Sequence, residues 1–211
     1  MSRGQFITFE GGEGAGKSTQ VRRLVERLQA EGLEAVATRE PGGSPGAESI
    51  RDLLVRGSAD RWSAVTETLL MYAARRDHIE RVIRPALARG AWVVCDRYAD
   101  PTRAYQGAGG GTDPAFIAAL ETFVLEEVRP DLTLILDLPV EAGLSRAAAR
   151  SGAETRFESK GEAFHQRLRG GFLAIARAEP GRCRVIDATG PIQTVEAEVW
   201  AAVSAQVQVH G

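Results

Sequence analysis

Apolar residues gather in short runs separated by longer amphipathic stretches. The runs Gln5–Glu10, Ala35–Thr38, Trp92–Asp96, Leu132–Leu138 and Arg184–Asp187 are short and read as strands. The stretches between them read as helices, most clearly where Val21, Leu24, Val25 and Leu28 fall at i, i+3, i+4 and i+7 before Gly32 supplies a stop. A last helix, Ile192–Val209, is rich in Ala and Val and lacks basic residues, so it reads as packing rather than as a membrane-surface element. Strands alternating with helices predict an α/β fold with a five-stranded parallel sheet. Two Gly- and Pro-rich stretches, Glu40–Gly46 and Tyr98–Pro114, each follow the carboxyl end of a predicted strand, where open α/β sheets place their ligands.

Composition narrows the class. With 211 residues, 44% of them hydrophobic, the chain has enough apolar material for one substantial core, and a single domain over 1–211 is expected. Its 26 Lys and Arg against 28 Asp and Glu leave a net charge of −2, without the basic field that holds a protein on nucleic acid, so any polyanion it binds is expected to be small. Cys95 and Cys183 form no Cys-x-x-Cys pair and no His stands at metal-ligand spacing, which argues against a disulfide framework or a zinc site and fits a reducing cytoplasm. No apolar run approaches the roughly 18 residues of a membrane span, and the first residues lead into a strand, so neither export nor a membrane anchor is expected.

The strongest local signal is Gly11, Gly12, Glu13, Gly14, Ala15, Gly16, Lys17 and Ser18, a G-x-x-x-x-G-K-S phosphate loop between a predicted strand and a predicted helix. Its backbone N–H groups and the helix end suit phosphate oxygens, Lys17 reaches the β/γ-phosphates, and Ser18 can ligate magnesium. The motif by itself specifies only a nucleoside triphosphate. A guanine-reading Asn-Lys-x-Asp and a switch Asp-x-x-Gly are both missing, which excludes a switch GTPase. Asp96, at the end of the third strand, brings a carboxylate to the phosphate loop that can hold magnesium directly or through water. Arg97 follows it at once; in a kinase that arginine can hold an acceptor phosphate opposite the donor, and the alternative is a structural ion pair.

Seven ordered blocks resemble the thymidylate kinase family, which phosphorylates dTMP to dTDP. They are Phe9 to Thr19, Thr38 to Gly43, Tyr72 to Arg75, Asp96 to Tyr98, Ala104 to Gly107, Arg129 to Thr133 and Ile186 to Thr189. The resemblance implies a three-layer P-loop NTPase sandwich with a flexible lid, ATP as phosphoryl donor, Mg2+ as cofactor, and dTMP as acceptor. It assigns Arg39 and Arg97 to the dTMP phosphate, as bidentate guanidinium–phosphate pairing allows. The Glu40–Pro41 bond matches the family's cis-proline turn. Arg75 resembles the arginine that hydrogen-bonds the thymine carbonyl edge, whereas Arg76 reads as a solvated helix charge. Thr102 and Gln106 match positions facing the base and the nearby pocket, Tyr105 the ring that crowds the 2′-carbon, and Glu13 an acidic position near the acceptor sugar and phosphate.

In this family the catalytic arginine lies either in the phosphate loop or in the lid. Gly14 occupies the loop position, so the resemblance points to the lid, at about 146–160, with Arg150 and Arg156 as candidates. Arg146 matches a residue flanking adenine, and Asp187 to Thr189 the loop on the ring's other side. Met71 departs from the family's usual phenylalanine and Pro101 from an expected serine, so base stacking becomes a softer sulfur contact. Family members are usually homodimers packed through helices between Thr66 and Pro114. His78, His165 and His210 share no spacing with a nucleophile and read as structural or surface groups. The competing readings are a kinase for another nucleoside monophosphate or a deoxynucleoside, and a catalytically silent ATP-binding regulator.

Overall fold

The computed structural model describes residues 3–58, 60–105, 112–149 and 161–210. Five parallel strands, β1 (Phe6–Gly11), β2 (Ala35–Arg39), β3 (Trp92–Asp96), β4 (Leu132–Asp137) and β5 (Cys183–Asp187), lie in the order β2-β3-β1-β4-β5. The predicted strands are all present, with ends moved by one residue at most. β1 runs to Gly11 because Gly11 still pairs with Leu136 of β4.

β1 is buried on both faces, as a central parallel strand must be. Ile7 and Phe9 face one way, into a core with Leu24, Leu28, Leu134, Val199 and Val203; Phe6 faces the other, with Ile79, Ile83, Val93 and Leu125. The first core lies under α1 (Lys17–Ala30) and α9 (Ile192–His210). The second lies under the π-helical turn at Ile79–Ile83 and α4 (Arg84–Ala88), which continue α3 (Ala64–His78), and against the end of α6 (Pro114–Leu125). This is the expected three-layer α/β sandwich. The π turn is marked by the Arg84 N–H bonding Ile79 O, five residues back, and is followed by Pro85, which has no N–H for Arg81.

The α1 stop is as expected: Leu33 N–H bonds Leu28 O, Gly32 N–H bonds Gln29 O, and Gly32 takes φ 83°. α2 (Pro45–Val55), α5 (Asp100–Tyr105), α7 (Val140–Ala148) and α8 (Glu162–Ala178) complete the described helices. The chain leaves β1 toward β2 and β3 on one side and later builds β4 and β5 on the other. The sheet therefore changes direction between β1 and β3, and the crevice at their carboxyl ends is where such sheets bind ligands.

A polar strip interrupts the second layer. Thr8 and Thr133 exchange a buried hydroxyl hydrogen bond of 2.9 Å, and Arg182 donates to Thr133 Oγ1 and to both oxygens of Asp100 at 2.8 Å. Asp100 opens α5, so this bidentate pair anchors the segment carrying Thr102 and Tyr105 to the sheet.

Candidate active site

The phosphate loop links β1 to the N-terminus of α1, as its motif requires. Gly14 takes φ 68°, and a Cβ there would stand 2.1 Å from the Gly143 carbonyl oxygen of α7. An arginine cannot occupy this position without displacing α7, which is the physical reason for the glycine. Lys17 curls over the loop and donates to Gly12 O at 2.8 Å and Gly11 O at 3.2 Å. Burial, followed by the charge of Arg97, lowers its pKa from 10.5 to about 8, although Glu13, Asp96 and Glu10 oppose that shift. Thr19 N–H bonds Gly16 O within the first turn of α1.

Ser18 Oγ donates to Asp96 Oδ2 at 2.5 Å, so the two expected magnesium ligands, 78 residues apart, touch. Arg97 adopts φ 70°, a left-handed backbone that a non-glycine residue holds only at a cost of about 1–3 kcal/mol. That turn sends its side chain back over the loop, where it donates to Gly11 O at 3.1 Å and to Glu13 Oε1 at 2.6 Å. Arg39 donates to Glu48 Oε2 at 3.1 Å, and Glu48 also accepts from the Gly43 N–H. Both expected acceptor-phosphate arginines thus rest on carboxylates. The Glu40–Pro41 bond is cis.

A cavity of about 470 Å³ joins these groups, a volume within the range of small-ligand sites. Its lining brings together Lys17, Ser18, Arg39, Arg97, Glu13, Asp96, Met71, Arg75, Thr102 and Tyr105. Arg75 is buried with Glu40, to which its Nε donates at 2.7 Å. Burial is the largest single influence and opposes its charge, but Glu40, Tyr72 and Tyr98 together more than offset it and raise the guanidinium pKa. Arg146 lies elsewhere, donating to Ala188 O at 3.3 Å, so α7 meets the 187–189 loop. Gln106, Arg150 and Arg156 lie outside the described residues.

Several groups were not legible as site residues. Phe164, His165 and Leu168 of α8 line the same cavity, with Phe164 packed edge-on against Tyr105 at 4.8 Å. His165 is 5% exposed, and its Nε2 has no hydrogen-bond partner among the described residues. Glu10, directly before the loop, is fully buried and accepts from the Tyr98 N–H at 2.8 Å; burial, then the charge of Asp100, raises its pKa well above the usual carboxylate range. Only the run of motif residues around Glu10 hinted at it. Arg76, read as a solvated charge, instead bonds Glu80 and Glu126 at 2.6 Å and reaches the last carbonyls of α6, because α6 packs beside α3.

Comparison with known proteins agrees with this geometry. A family model described as thymidylate kinase matches residues 9–199. The thymidylate kinase of Caulobacter vibrioides is 69% identical over 199 residues, covering 94% of this chain and 95% of that protein. The thymidylate kinase of Nitrobacter winogradskyi is 57% identical, covering 95% of this chain and 88% of its own length. The crystal structure of thymidylate kinase from Ehrlichia chaffeensis superposes with a TM-score of 0.78 at 34% identity, covering 95% of this chain and 99% of that one. With the family model spanning residues 9–199 and relatives this similar over nearly its whole length, the chain belongs to the thymidylate kinase family.

Proposed function

We infer that this protein transfers the γ-phosphoryl group of ATP to dTMP, giving dTDP and ADP. The observation that carries this reading is the single cavity that joins Lys17 and Ser18 of the phosphate loop to Arg39, Arg97 and Arg75. Donor and acceptor phosphates can meet there in line. Phosphoryl transfer of this kind needs positioning and charge rather than a strong base, and the side chains supply both.

The roles divide by chemistry. Residues 11–19 hold the ATP phosphates, with Lys17 on the β/γ-oxygens; Arg146 and the 187–189 loop flank the adenine. Arg39 and Arg97 exchange Glu48 and Glu13 for the acceptor phosphate, and Glu13 keeps Arg97 aimed. Arg75 Nη1 donates to the thymine edge, Met71 packs on the ring, and Thr102, Tyr105 and Gln106 complete the base and sugar pocket. Arg150 or Arg156 of the lid stabilises the transferring group and excludes water, a contribution that arginine fingers make on the order of 10³-fold or more. The chain works as one kinase domain.

Magnesium suits the Ser18–Asp96 pair. It takes one or two protein oxygens, keeps several waters and binds the rest of its shell from substrate phosphates, and these two side chains offer that hard-oxygen set at the loop. When bound, the ion neutralises charge on the phosphate oxygens. Assembly is as a homodimer through α3 and α6, supported by the exposure of Val65, Leu69 and Phe123 at 47%, 47% and 78%. Among the described residues no helix is long and apolar enough to cross a membrane; a cytoplasmic location fits the paired absence of disulfides among the described residues and the ATP requirement.

The test is a coupled ADP-release assay with ATP and magnesium, offering dTMP, dUMP, CMP, AMP, GMP and thymidine separately. Turnover is expected with dTMP, weaker with dUMP and absent with thymidine. No ADP release above background with any acceptor would favour the silent ATP-binding regulator.

A further inference from the structure

Arg75 is held on two of its three nitrogens. Its Nε donates to Glu40 Oε2 at 2.7 Å, and its Nη2 donates to Tyr98 O at 2.5 Å and approaches Thr102 Oγ1 at 3.4 Å. The rings of Tyr72 and Tyr98 lie against the guanidinium at 4.8 and 5.5 Å. The third nitrogen, Nη1, is buried without a hydrogen-bond partner among the described residues, on a side chain that lines the acceptor cavity.

Glu40 has two oxygens, and Arg75 takes only one. The other, Oε1, faces His78 Nδ1 at 3.0 Å, and His78 Nε2 meets Thr38 Oγ1 at 2.7 Å. A carboxylate paired with Arg75 accepts only, so Nδ1 carries the proton and donates, while Nε2 shares a hydrogen bond with the Thr38 hydroxyl. His78 is fully buried and does not line the cavity. The loop closes tightly on this relay: Gly43 takes φ 89°, and a Cβ there would stand 2.5 Å from both His78 Nε2 and Thr38 Oγ1.

We propose that His78 is a positioning residue for base recognition, which occupies Glu40 Oε1 so that Arg75 keeps Nη1 directed to the acceptor base. This rests on the reading that Arg75 contacts the base of dTMP. A side-on carboxylate prefers to bridge Nε and Nη2 of one guanidinium. Without the His78 N–H, Glu40 Oε1 turns to Nη2, competes with the Tyr98 carbonyl, and rotates the plane that aims Nη1. Replacement of His78 therefore weakens acceptor binding while leaving the phosphate loop, Lys17 and Arg97 as they are.

The experiment measures KM and kcat for dTMP and for ATP in His78→Leu, His78→Asn, His78→Gln, Thr38→Val and Arg75→Lys. The asparagine amide can replace the Nδ1 donor, whereas the glutamine amide reaches the Nε2 position. The expected result is a dTMP KM raised about tenfold in His78→Leu and His78→Gln, a smaller rise in Thr38→Val, and recovery in His78→Asn, with kcat and the ATP KM within about twofold; such a size is usual for neighbours in one hydrogen-bond network. In the Arg75→Lys background, His78→Gln should add nothing further. Equal behaviour of Asn and Gln, an additive effect on top of Arg75→Lys, or a loss of thermal stability with an unchanged dTMP KM each overturns the proposal. Should Arg75→Lys itself leave the dTMP KM unchanged, the base-contact reading fails and the proposal with it; should Arg75→Lys raise KM while the His78 and Thr38 variants do not, only the proposal fails.

Discussion

Arg97 and Glu13 form an ion pair of 2.6 Å above the phosphate loop, with side chains 19% and 24% exposed, so on the proposed reading an acceptor phosphate has to share or displace a carboxylate to reach the guanidinium. The pair has two consequences of opposite sign. On that proposal Glu13 competes with phosphate for Arg97, while its hydrogen bond also holds Arg97 in one direction. In Glu13→Ala, dTMP KM should stay level or fall, because the competing charge is gone, while kcat falls by about 10²-fold as the guanidinium loses its aim. Steady-state kinetics with varied dTMP at saturating ATP separate the two. A raised KM with unchanged kcat would mean that Glu13 binds the acceptor without orienting Arg97.

Gly14 and Gly143 pack backbone against backbone, tying the phosphate loop to α7. A Cβ on Gly143 would stand 2.4 Å from the Glu13 carbonyl oxygen. Gly143→Ala should cost about 1–3 kcal/mol as overpacking does, lower Tm by several degrees, and raise the ATP KM through the shifted loop. Gly170, in the middle of α8, is the control, since nothing lies within 4 Å of a Cβ there. Gly170→Ala should raise stability by roughly 0.5–1 kcal/mol through helix propensity alone. Thermal melts of both variants check the contrast; equal shifts would refute the packing argument.

The difference between legible and illegible residues follows from sequence distance. The phosphate loop, the strands and the α1 stop are written in consecutive residues, because backbone geometry and period need only local information. Asp96 could be placed at the loop because it ends a strand. Arg182 with Asp100, or Glu40 between Arg75 and His78, joins residues tens of positions apart, and each polar side chain alone resembles a surface group. Arg76 shows the same limit, since its partners on α6 come from packing that periodicity does not reveal. His165 reaches the acceptor cavity only because α8 packs across α5.

That last contact carries its own prediction. His165 Nε2 is buried without a partner among the described residues, which costs desolvation, and a polar atom of a bound acceptor can relieve it. His165→Phe removes the nitrogen but keeps the ring's bulk against Phe164. Its Tm should be unchanged or higher, while dTMP KM rises about three- to tenfold, the equivalent of one ordinary hydrogen bond. Melting and kinetics on the same preparation decide; a lower Tm with unchanged KM would make His165 a packing residue.

Lys17 links the site to pH. Its pKa of about 8 in the folded protein lies below the ordinary 10.5, so the ligand-free enzyme loses the ammonium above about pH 8. kcat/KM for ATP should decline there, whereas kcat holds to higher pH because bound phosphate charge draws the proton back. The stability effect has a defined sign. Between about 8 and 10.5 the unfolded chain holds more protons at this lysine than the folded one does, so Lys17 makes stability rise with pH across that window. Below pH 8 its buried charge is a full cost. Lys17→Met should therefore melt higher than the parent at pH 7, and the gap should narrow steadily toward pH 10.5. A gap independent of pH, measured by thermal melts in matched buffers, would show that Lys17 titrates in the folded protein as it does in the unfolded chain.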